Sequence, residues 1–357
     1  MPSLAGGGAE RIMLTLAAEF AARGYAVDVV LASAEGEYLD SVPTAVHLVD
    51  LRATRPLTAI PGLVRYLRAH RPWAVMTTIL SANLAALCTL RLSGVRTRLV
   101  VREASTLSAD VMQMSPLNRL LTPWLIGRNF ALAHAFVAPS KGAADDLAKT
   151  AGIPRDSIQV IYNPVISASL IEKARRNGDH PWLNDEGPPV IIGMGRLTKQ
   201  KDFATLIQAF ARLQLSLPSR LIILGEGEDR NALETLQRNL GVDAMVDMPG
   251  FVSNPYAFLS RSSLFVLSSR WEGLPGALIE ALACGTKVVS TDCPSGPREI
   301  LCDGAYGQLV PIEDDVAMAS AMHRALTGSF VAEKNSDWLR QFEFENNIDR
   351  YLDLLVG

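Results

Sequence analysis

Two carboxylates, Glu272 and Glu280, lie on either side of a predicted helix start in the segment WEGLPGALIEALA, residues 271–283. The apolar run before it, residues 264–269, is typical of a buried strand, and Pro275 suits the first turn of a helix. Free backbone N–H groups converge where a strand ends and a helix begins, so anions bind there in α/β proteins. The segment therefore predicts a site that holds a polar ligand between two carboxylates and a positive helix end.

Cations and glycines follow other predicted strands. Gly195 and Arg196 end one strand and Lys201 follows five residues after Arg196, so both cations can reach one diphosphate; alternatively, they are ordinary surface cations. Residues 225–228 (GEGE) form a tight loop after the next strand, and residues 6–8 (GGG) precede a helix. Because glycine has no side chain, the backbone amides of such loops approach phosphate oxygens closely. Three such loops at one sheet edge indicate a nucleotide site.

Strands and helices alternate through both halves of the chain, which predicts an α/β fold of doubly wound parallel sheets with ligands at the carboxyl ends of the strands. We expect an amino-terminal domain over residues 1–176 and a polar linker over 177–189. A second domain follows over 190–336, and a helix over 337–357 can cross back to the first domain.

The first domain opens with a glycine loop and no strand ahead of it, where a doubly wound domain normally has one. We expect either that this first strand is missing or that translation starts upstream. A missing strand exposes a central strand edge, so an upstream extension is expected to raise stability and activity.

The composition is globular, with 48% hydrophobic and 20% charged residues and a net charge of −3, and 357 residues suffice for two domains. Charge is uneven: residues 52–128 carry eleven basic residues, all arginine, against Glu103 and Asp110. This run indicates a face for anionic lipid or a pyrophosphate-bearing acceptor. The alternative is solvated helix surfaces in an arginine-rich genome.

The four cysteines form no CxxC pair, and His residues are not clustered at metal-ligand spacing, so we expect inert thiols in a reducing compartment and no metal site. No signal peptide is apparent at the amino end. Residues 73–90 are uncharged for eighteen positions, long enough for a membrane span. Their Thr, Ser and Asn content favours a strand followed by a buried helix, in a soluble or peripheral protein.

These segments together resemble the retaining glycosyltransferases of family 4, which have the GT-B architecture of two Rossmann-like domains facing a cleft. The resemblance extends over nearly the whole chain, and it implies that residues 1–176 form the acceptor-side domain and residues 190–336 the nucleotide-sugar-binding domain. It is carried by SLAGGGAER (3–11), VAPSKGAADDL (137–147), IYNPV (161–165), GRLTKQKDF (195–203), GEGEDR (225–230), PGFVSN (249–254) and WEGLPGALIEALACGTKVVSTDCPSGPREIL (271–301).

The resemblance assigns catalytic roles to three residues. Arg196 and Lys201 would grip the donor diphosphate and offset charge on the leaving group, and Glu272 would lie beside the donor sugar. Glu280 would hold the ribose hydroxyls. The other donor-binding positions that it implies are Gly7, Gly8, Gly195, Glu226, Gly227, Phe251, Val252, Gly273, Leu274, Pro275 and Gly276.

Within that set, the amides of residues 274–276 would face the sugar and phosphates, Phe251 and Val252 would border the base, and Gly7 and Gly8 would face the diphosphate. Many family members carry a His in a first-domain loop, whereas this chain has Arg102 and Glu103 at the corresponding strand end. We take these two as acceptor-side candidates.

The resemblance implies transfer of a hexose or N-acetylhexosamine from a UDP-sugar to a saccharide acceptor linked to a lipid diphosphate, in glycan or polysaccharide assembly. It implies no cofactor or metal ion, and a partnership with an anionic membrane surface rather than nucleic acid. The expected location is cytoplasmic, peripheral on the inner face of the cytoplasmic membrane. Alternatives are a GDP-mannose-type transferase with a soluble acceptor, or a non-catalytic nucleotide-sugar-binding subunit.

Two other enzyme classes fit less well. A pair of carboxylates also suits a glycosidase, but family members of this kind are thought to use front-face departure and attack, in which the diphosphate helps to deprotonate the acceptor. A dinucleotide-dependent dehydrogenase is disfavoured because no GxGxxG is followed by a suitably spaced acid.

Overall fold

The computed structural model describes residues 1–5, 7–176, 178, 180–184, 186–333 and 336–357. It divides the chain into two compact units. Unit 1 comprises Met1–Pro164 and Phe344–Gly357, and unit 2 comprises Val165–Glu343. Residues 165–176, which the sequence analysis put in the first domain, therefore lie in unit 2, and the final helix lies in unit 1.

The predicted linker, residues 177–189, falls partly on Asn177, Asp179 and Asp185, which lie outside the described residues. Its described residues belong to unit 2 and include a short 3₁₀ turn, Pro181–Leu183. The side chain of His180 caps this turn by accepting from the amide of Trp182 at 3.1 Å.

Unit 1 alternates strands and helices, as predicted. Its strands are β1 (Asp28–Leu31), β2 (His47–Asp50), β3 (Ala74–Thr78), β4 (Arg98–Arg102), β5 (Ala135–Ala138) and β6 (Ile158–Val160). Its helices are α1 (Gly8–Ala22), α2 (Ile60–His70), α3 (Leu80–Ser93), α4 (Leu107–Met112), α5 (Pro116–Asn129), α6 (Lys141–Ala151) and α15 (Phe344–Val356).

The strands of unit 1 pair in two parallel sheets, one of β1 and β2 and the other in the order β3-β4-β5-β6. The core of the four-stranded sheet contains Leu99, Val101 and Phe136, and α3 and α6 contribute Leu87 and Leu147. Residues 73–90 fold as β3 followed by α3, so the prediction of a strand and a buried helix is confirmed.

Unit 2 continues the alternation. Its strands are β7 (Val190–Met194), β8 (Arg220–Leu224), β9 (Val246–Gly250), β10 (Leu264–Leu267), β11 (Val288–Thr291) and β12 (Gln308–Val310). Its helices are α7 (Ala168–Ala174), α8 (Phe203–Gln214), α9 (Arg230–Leu240), α10 (Pro255–Leu259), α11 (Gly276–Ala283), α12 (Pro297–Ile300), α13 (Asp315–Thr327) and α14 (Ser336–Leu339).

The six strands described in unit 2 form one parallel sheet in the order β12-β11-β10-β7-β8-β9. Strands buried on both faces are near-continuous apolar runs, and every residue of β10, LFVL, is buried. Helices α8 and α13 pack on this sheet through Phe210, Leu206 and Met322, all fully buried. The predicted doubly wound sheet is confirmed.

Candidate active site

The strand order of unit 2 reverses between β7 and β10, because the chain adds β8 and β9 on one side and β11 and β12 on the other. In an open parallel sheet, a crevice forms at such a switch point, outside the carboxyl ends of the two strands, and ligands bind there. The loops that leave β7 and β10 are residues 195–202 and 268–275. They contain the predicted catalytic residues of unit 2.

Lys201 and Glu272 meet at this switch point. The Nζ of Lys201 lies 2.5 Å from Oε1 of Glu272, and their side chains are 17% and 8% exposed. Ser269 Oγ donates to the same carboxylate oxygen at 2.6 Å. The structure thus joins two residues 71 positions apart in the chain, and their partial burial strengthens the electrostatic contact relative to one in water.

The two loops are held together by further hydrogen bonds. Gln200 Nε2 donates to the carbonyl of Trp271 at 2.9 Å, and the amide of Arg270 donates to the carbonyl of Gln200 at 2.8 Å. Ser268 Oγ donates to the carbonyl of Lys201 at 2.7 Å. These contacts fix the backbone that carries Lys201 and Glu272.

Arg270 adds charge pairing to the same junction. Its guanidinium pairs with Asp202 at 3.2 Å and with Glu313 at 2.5 Å. Asp202 precedes α8 with a positive φ of 48°, and its carboxylate accepts from Thr205 Oγ1 at 2.8 Å. The sequence analysis did not select Arg270 or Asp202. The signal that could have identified them is their position, since Arg270 lies near the start of one predicted loop and Asp202 at the end of the other.

Glycines let the loops at this edge pack closely. Gly225 has φ of +132°, and a Cβ there would collide with the carbonyl oxygen of Gly195. A Cβ at Gly195, whose φ is +153°, would lie 3.1 Å from Cε of Lys201. Both positions require glycine because the backbone conformation and the space exclude a side chain. Gly195 therefore sets the path of the Lys201 side chain.

The second signature carboxylate, Glu280, is 1% exposed inside α11. This helix begins at Gly276 with Pro275 as its N-cap, and Leu274 just before it is 5% exposed. Burial, together with the nearby Glu280 charge, raises the pKa of Cys284 to about 12. The helix start follows the loop of Glu272, so the positive amino end of α11 lies near the switch point.

The remaining residues predicted for donor binding in unit 2 follow β7, β8 and β9. Arg196 is exposed. Glu226 pairs through two hydrogen bonds with Arg230, at 2.6 and 2.8 Å, which lowers the pKa of the Glu226 carboxyl. Phe251 is 48% exposed and Val252 is half-buried. Their donor-binding roles stay predictions.

In unit 1, the glycine loop leads into α1, with Gly7 as the N-cap and Gly8 as the first helical residue; Gly6 lies outside the described residues. The Glu10 carboxylate packs against Gly7, where a Cβ would collide with Oε2 of Glu10. A carboxylate in the first turn is favourable because the helix amino end is positive. In the described structure, this helix start thus contacts a carboxylate of its own helix.

Arg102, an acceptor-side candidate, lies inside unit 1 and is 1% exposed. Its guanidinium donates to Thr78 Oγ1 at 2.9 Å, to Tyr351 Oη at 3.1 Å and to Asn163 Oδ1. These are structural hydrogen bonds of a buried cation. Burial removes Arg102 from the predicted basic face of unit 1, and its acceptor-side role stays a prediction.

Glu103, the other acceptor-side candidate, is also 1% exposed. Its carboxylate accepts from Asn83 Nδ2 at 3.1 Å, and Asn83 Oδ1 accepts from Thr77 Oγ1 at 2.8 Å. Burial, reinforced by the negative charge of Asp110, raises the pKa of Glu103 to about 7. The side chain therefore exchanges a proton near neutral pH, but its acceptor-side role stays a prediction.

Neither a metal-binding cluster nor a membrane-spanning helix is found where the structure is described. No three His, Cys, Asp or Glu residues there are grouped so that they could hold a metal ion. Within the same described residues, every helix is too short or too polar to cross a membrane.

Comparison with known proteins identifies the family. Residues 175–341 match the family model described as glycosyl transferases group 1, and residues 6–168 match the one described as Glycosyltransferase Family 4. A Campylobacter jejuni protein is 31% identical over 333 residues, which cover 91% of this chain and 88% of the relative. The chain belongs to glycosyltransferase family 4. Like its relatives, it is a glycosyltransferase.

The Campylobacter jejuni relative of this family 4 enzyme is named N-acetylgalactosamine-N,N'-diacetylbacillosaminyl-diphospho-undecaprenol 4-alpha-N-acetylgalactosaminyltransferase. The lipopolysaccharide core biosynthesis glycosyltransferase LpsE of Rhizobium meliloti is 35% identical over 205 residues, which cover 56% of this chain and 58% of LpsE.

Among solved structures, a glycosyltransferase from Rickettsia africae superposes with a TM-score of 0.78 at 15% identity, covering 99% of this chain and 96% of the other. HepE from Anabaena, in complex with UDP and glucose, gives a TM-score of 0.72 at 19% identity, covering 99% and 94%. These likenesses establish the GT-B fold of the family 4 enzyme.

Proposed function

We propose that this family 4 glycosyltransferase moves a hexose or N-acetylhexosamine from a UDP-sugar, with retention of anomeric configuration, to a saccharide on a lipid diphosphate. The reaction would serve lipopolysaccharide or surface polysaccharide assembly. The observation that carries the proposal is the Lys201–Glu272 contact of 2.5 Å at the switch point of the unit 2 sheet. The named acceptor of the Campylobacter jejuni relative and the UDP in HepE support the choice of substrates.

In the proposed complex, the donor diphosphate binds to Lys201 and Arg196 and to the amides at the start of α11. Lys201 carries positive charge to the leaving oxygen, while its contact with Glu272 keeps its ammonium group oriented. This cationic set takes the place of a metal ion in offsetting the charge that develops on UDP. Glu280 holds the ribose hydroxyls through charge-assisted hydrogen bonds.

Glu272 has a positioning role in this proposal. Its Oε1 accepts hydrogen bonds from Lys201 Nζ at 2.5 Å and from Ser269 Oγ at 2.6 Å, and these two contacts hold the side chain in place. A carboxylate held by these donors suits acceptance of a hydrogen bond from a sugar hydroxyl. The bond from the anomeric carbon to the UDP oxygen breaks, the acceptor oxygen bonds to the same face of that carbon, and the acceptor proton passes to the departing diphosphate.

The proposal predicts that Lys201→Ala lowers kcat by about 100-fold or more, because one cation is removed from the developing negative charge. Purified enzyme is given a panel of UDP- and GDP-sugars with a lipid-diphosphate saccharide, and nucleotide release and product anomer are measured. Lys199→Ala is the matched control, since this exposed lysine lies in the same loop. Its kcat is expected to equal that of the unaltered enzyme.

The same panel separates the alternatives. GDP release in place of UDP release would reject the donor, and an inverted product anomer would reject retention. Nucleotide-sugar binding by calorimetry without release would favour a non-catalytic subunit. Unchanged turnover in Lys201→Ala and Glu272→Gln, with Glu228→Gln as an exposed control, would reject the site.

We further propose that unit 1 binds an anionic membrane surface through helix α5, which locates the enzyme on the inner face of the cytoplasmic membrane. Leu117, Leu120 and Trp124 of this helix are 66%, 74% and 56% exposed. Arg128 lies over the Trp124 ring at 5.4 Å. Residues 111–144 contain no Asp or Glu. Exposed apolar side chains beside cations, without acids, are typical of an interfacial helix.

Liposome flotation tests the membrane proposal. Leu120→Glu should lower the bound fraction on vesicles containing phosphatidylglycerol by roughly tenfold, because burial of one leucine in lipid is lost. Leu215→Glu is the matched control, since Leu215 is 89% exposed in unit 2. Binding should fall further in high salt, which screens the arginines. Equal binding of the two variants, or no binding by the unaltered enzyme, would overturn the proposal.

A further inference from the structure

Arg230 joins two neighbouring loops of unit 2 through a fork of hydrogen bonds. Its Nε and Nη2 donate to the two carboxylate oxygens of Glu226 at 2.8 and 2.6 Å. Both Nη atoms also donate to the carbonyl of Met248 at 3.2 Å, and Nη1 donates to Glu234 Oε1 at 3.2 Å. Glu226 follows β8 and Met248 lies in β9, so one guanidinium ties the ends of two adjacent strands together. A lysine ammonium cannot replace it, because the two parallel bonds to the carboxylate require the planar fork.

The Met248 carbonyl is available to Arg230 because β9 bulges beside it. Between Asp247 and Gly250, β9 has one residue more than the stretch of β8 that it pairs with. Pro249, which has no amide hydrogen, falls in this interval. An extra residue of this kind interrupts the ladder and bends the strand. The fork therefore fixes the backbone at the point where the chain is about to leave β9.

Gly250 carries this effect into the loop that follows β9. Its φ of +90° favours glycine, and a Cβ there would lie 2.7 Å from Glu226 Oε1. The Gly250 carbonyl accepts from the amide of Gly225 at 2.8 Å. The loop after β9 thus begins packed against the carboxylate that the fork holds. Its next two residues are Phe251, which is 48% exposed, and Val252, which is half-buried.

The loop after β8 is also held from its other side. The amide of Leu197 donates to the carbonyl of Glu226 at 2.8 Å, and the amide of Asp229 donates to the carbonyl of Leu197 at 3.0 Å. Leu197 is the neighbour of Arg196, which is proposed to bind the donor diphosphate. The fork is therefore connected through backbone contacts to the loop of the proposed diphosphate site and to the loop of Phe251.

We propose that Arg230 is a positioning residue that, through Glu226, fixes the width of a slot for the donor's nucleobase between residues 225–228 and 250–252. This role rests on the proposed function, with UDP as the nucleotide and its base beside Phe251 and Val252. A slot of fixed width favours a pyrimidine, because the larger purine requires the two loops to move apart. Arg230 thereby contributes to the choice of UDP over GDP without contact with either nucleotide.

The exposure of the pair suits positioning better than stabilisation. The side chains of Arg230 and Glu226 are 25% and 47% exposed, and ion pairs with this access to solvent contribute little to the free energy of unfolding. A bidentate fork nevertheless restricts the relative orientation of the groups that it joins. A variant without the fork should therefore fold with a Tm within about 3 °C of that of the unaltered enzyme, while its nucleotide binding changes.

The experiment compares Arg230→Lys, which keeps the charge and removes the fork, with Arg238→Lys, the same change at an exposed position of α9. Calorimetry gives Kd for UDP and for GDP, and turnover of the UDP-sugar gives kcat and KM. In Arg230→Lys, the Kd for UDP and the KM should rise roughly tenfold, because the slot must now be ordered by the ligand. The kcat and the Kd for GDP should stay within about twofold. Arg238→Lys should match the unaltered enzyme.

A double-mutant cycle separates positioning from direct contact. If Glu226 acts together with Arg230, Glu226→Gln raises the Kd for UDP as Arg230→Lys does, and the double variant is no worse than either single one. Effects that multiply would overturn the proposal, and so would an unchanged ratio of the two Kd values in Arg230→Lys.

Hydrogen exchange of the ligand-free enzyme tests the positioning without any donor. The amide of Gly225, which bonds to the Gly250 carbonyl, should exchange at least about threefold faster in Arg230→Lys than in Arg238→Lys. Equal exchange in the two variants would overturn the proposal. A preference of the unaltered enzyme for GDP would instead contradict the proposed function, and the exchange at Gly225 and the double-mutant cycle, run with the preferred nucleotide, would still decide whether Arg230 positions the loops.

Discussion

At the scale of single residues, the two units use buried charge in different ways. In unit 2, the buried Glu272 carboxylate lies 2.5 Å from the Lys201 ammonium group. In unit 1, Glu103 is buried beside the neutral Asn83 amide, and burial and Asp110 raise its pKa to about 7. A buried carboxyl group takes up a proton when its neighbours do not offset the hydration that the charged form has lost. Glu103 therefore makes the stability of unit 1 depend on pH.

The sign of this dependence follows from proton binding. Between about pH 4.5 and 7 the folded chain holds a proton on Glu103 that the unfolded chain has lost. Its contribution to stability is full below pH 4.5 and is lost as the pH rises through 7. Between pH 5 and 8, the free energy of unfolding should fall by on the order of 3 kcal/mol more in the unaltered chain than in Glu103→Gln.

Urea unfolding at pH 5 and pH 8 measures this difference. Glu103→Gln retains an oxygen that can accept from Asn83 but cannot ionise, so this variant should be the more stable of the two at pH 8. Glu37→Gln, at an exposed position of the same unit, is the control and should keep the pH dependence of the unaltered chain. An identical pH dependence in Glu103→Gln would show that Glu103 does not titrate in this range.

At the scale of elements, the sequence predicted the strand, loop and helix around Glu272 because the local signals agree. An apolar run became β10, and a proline became the N-cap of α11. Periodicity and turn residues are local properties, so they locate elements well. The same signals placed Lys201 after β7, and the switch-point rule then brings the two loops together.

The contacts between those loops could not be predicted in the same way. Ser269 and Arg270 contact Glu272, Gln200 and Asp202 only because two loops about 70 residues apart have particular backbone paths. The positive φ of Asp202 was not predicted either, because aspartate is enriched in this conformation but most aspartates in proteins do not adopt it. For the same reason, the arginine pattern did not show that Arg102 is buried among Thr78, Asn163 and Tyr351.

At the scale of the whole molecule, the chain leaves unit 1 at Pro164 and returns to it at Phe344. The returning helix, α15, contributes Tyr351, which is fully buried and accepts from Nε of Arg102 at 3.1 Å. This contact joins residues 249 positions apart. The last helix of the chain is thus part of the core of unit 1, the unit that also contains the first residues.

This placement predicts that Tyr351→Phe destabilises unit 1 selectively. Removal of the hydroxyl leaves a buried guanidinium N–H without its acceptor, which should cost about 2 kcal/mol of unfolding free energy. Hydrogen exchange measured separately over the two units should be faster in β3 and β4 and unchanged in β7 and β8. Tyr25→Phe makes the same chemical change at a 43% exposed position of unit 1, and it should leave both patterns unaltered. Equal acceleration in both units would show that α15 does not stabilise unit 1 selectively.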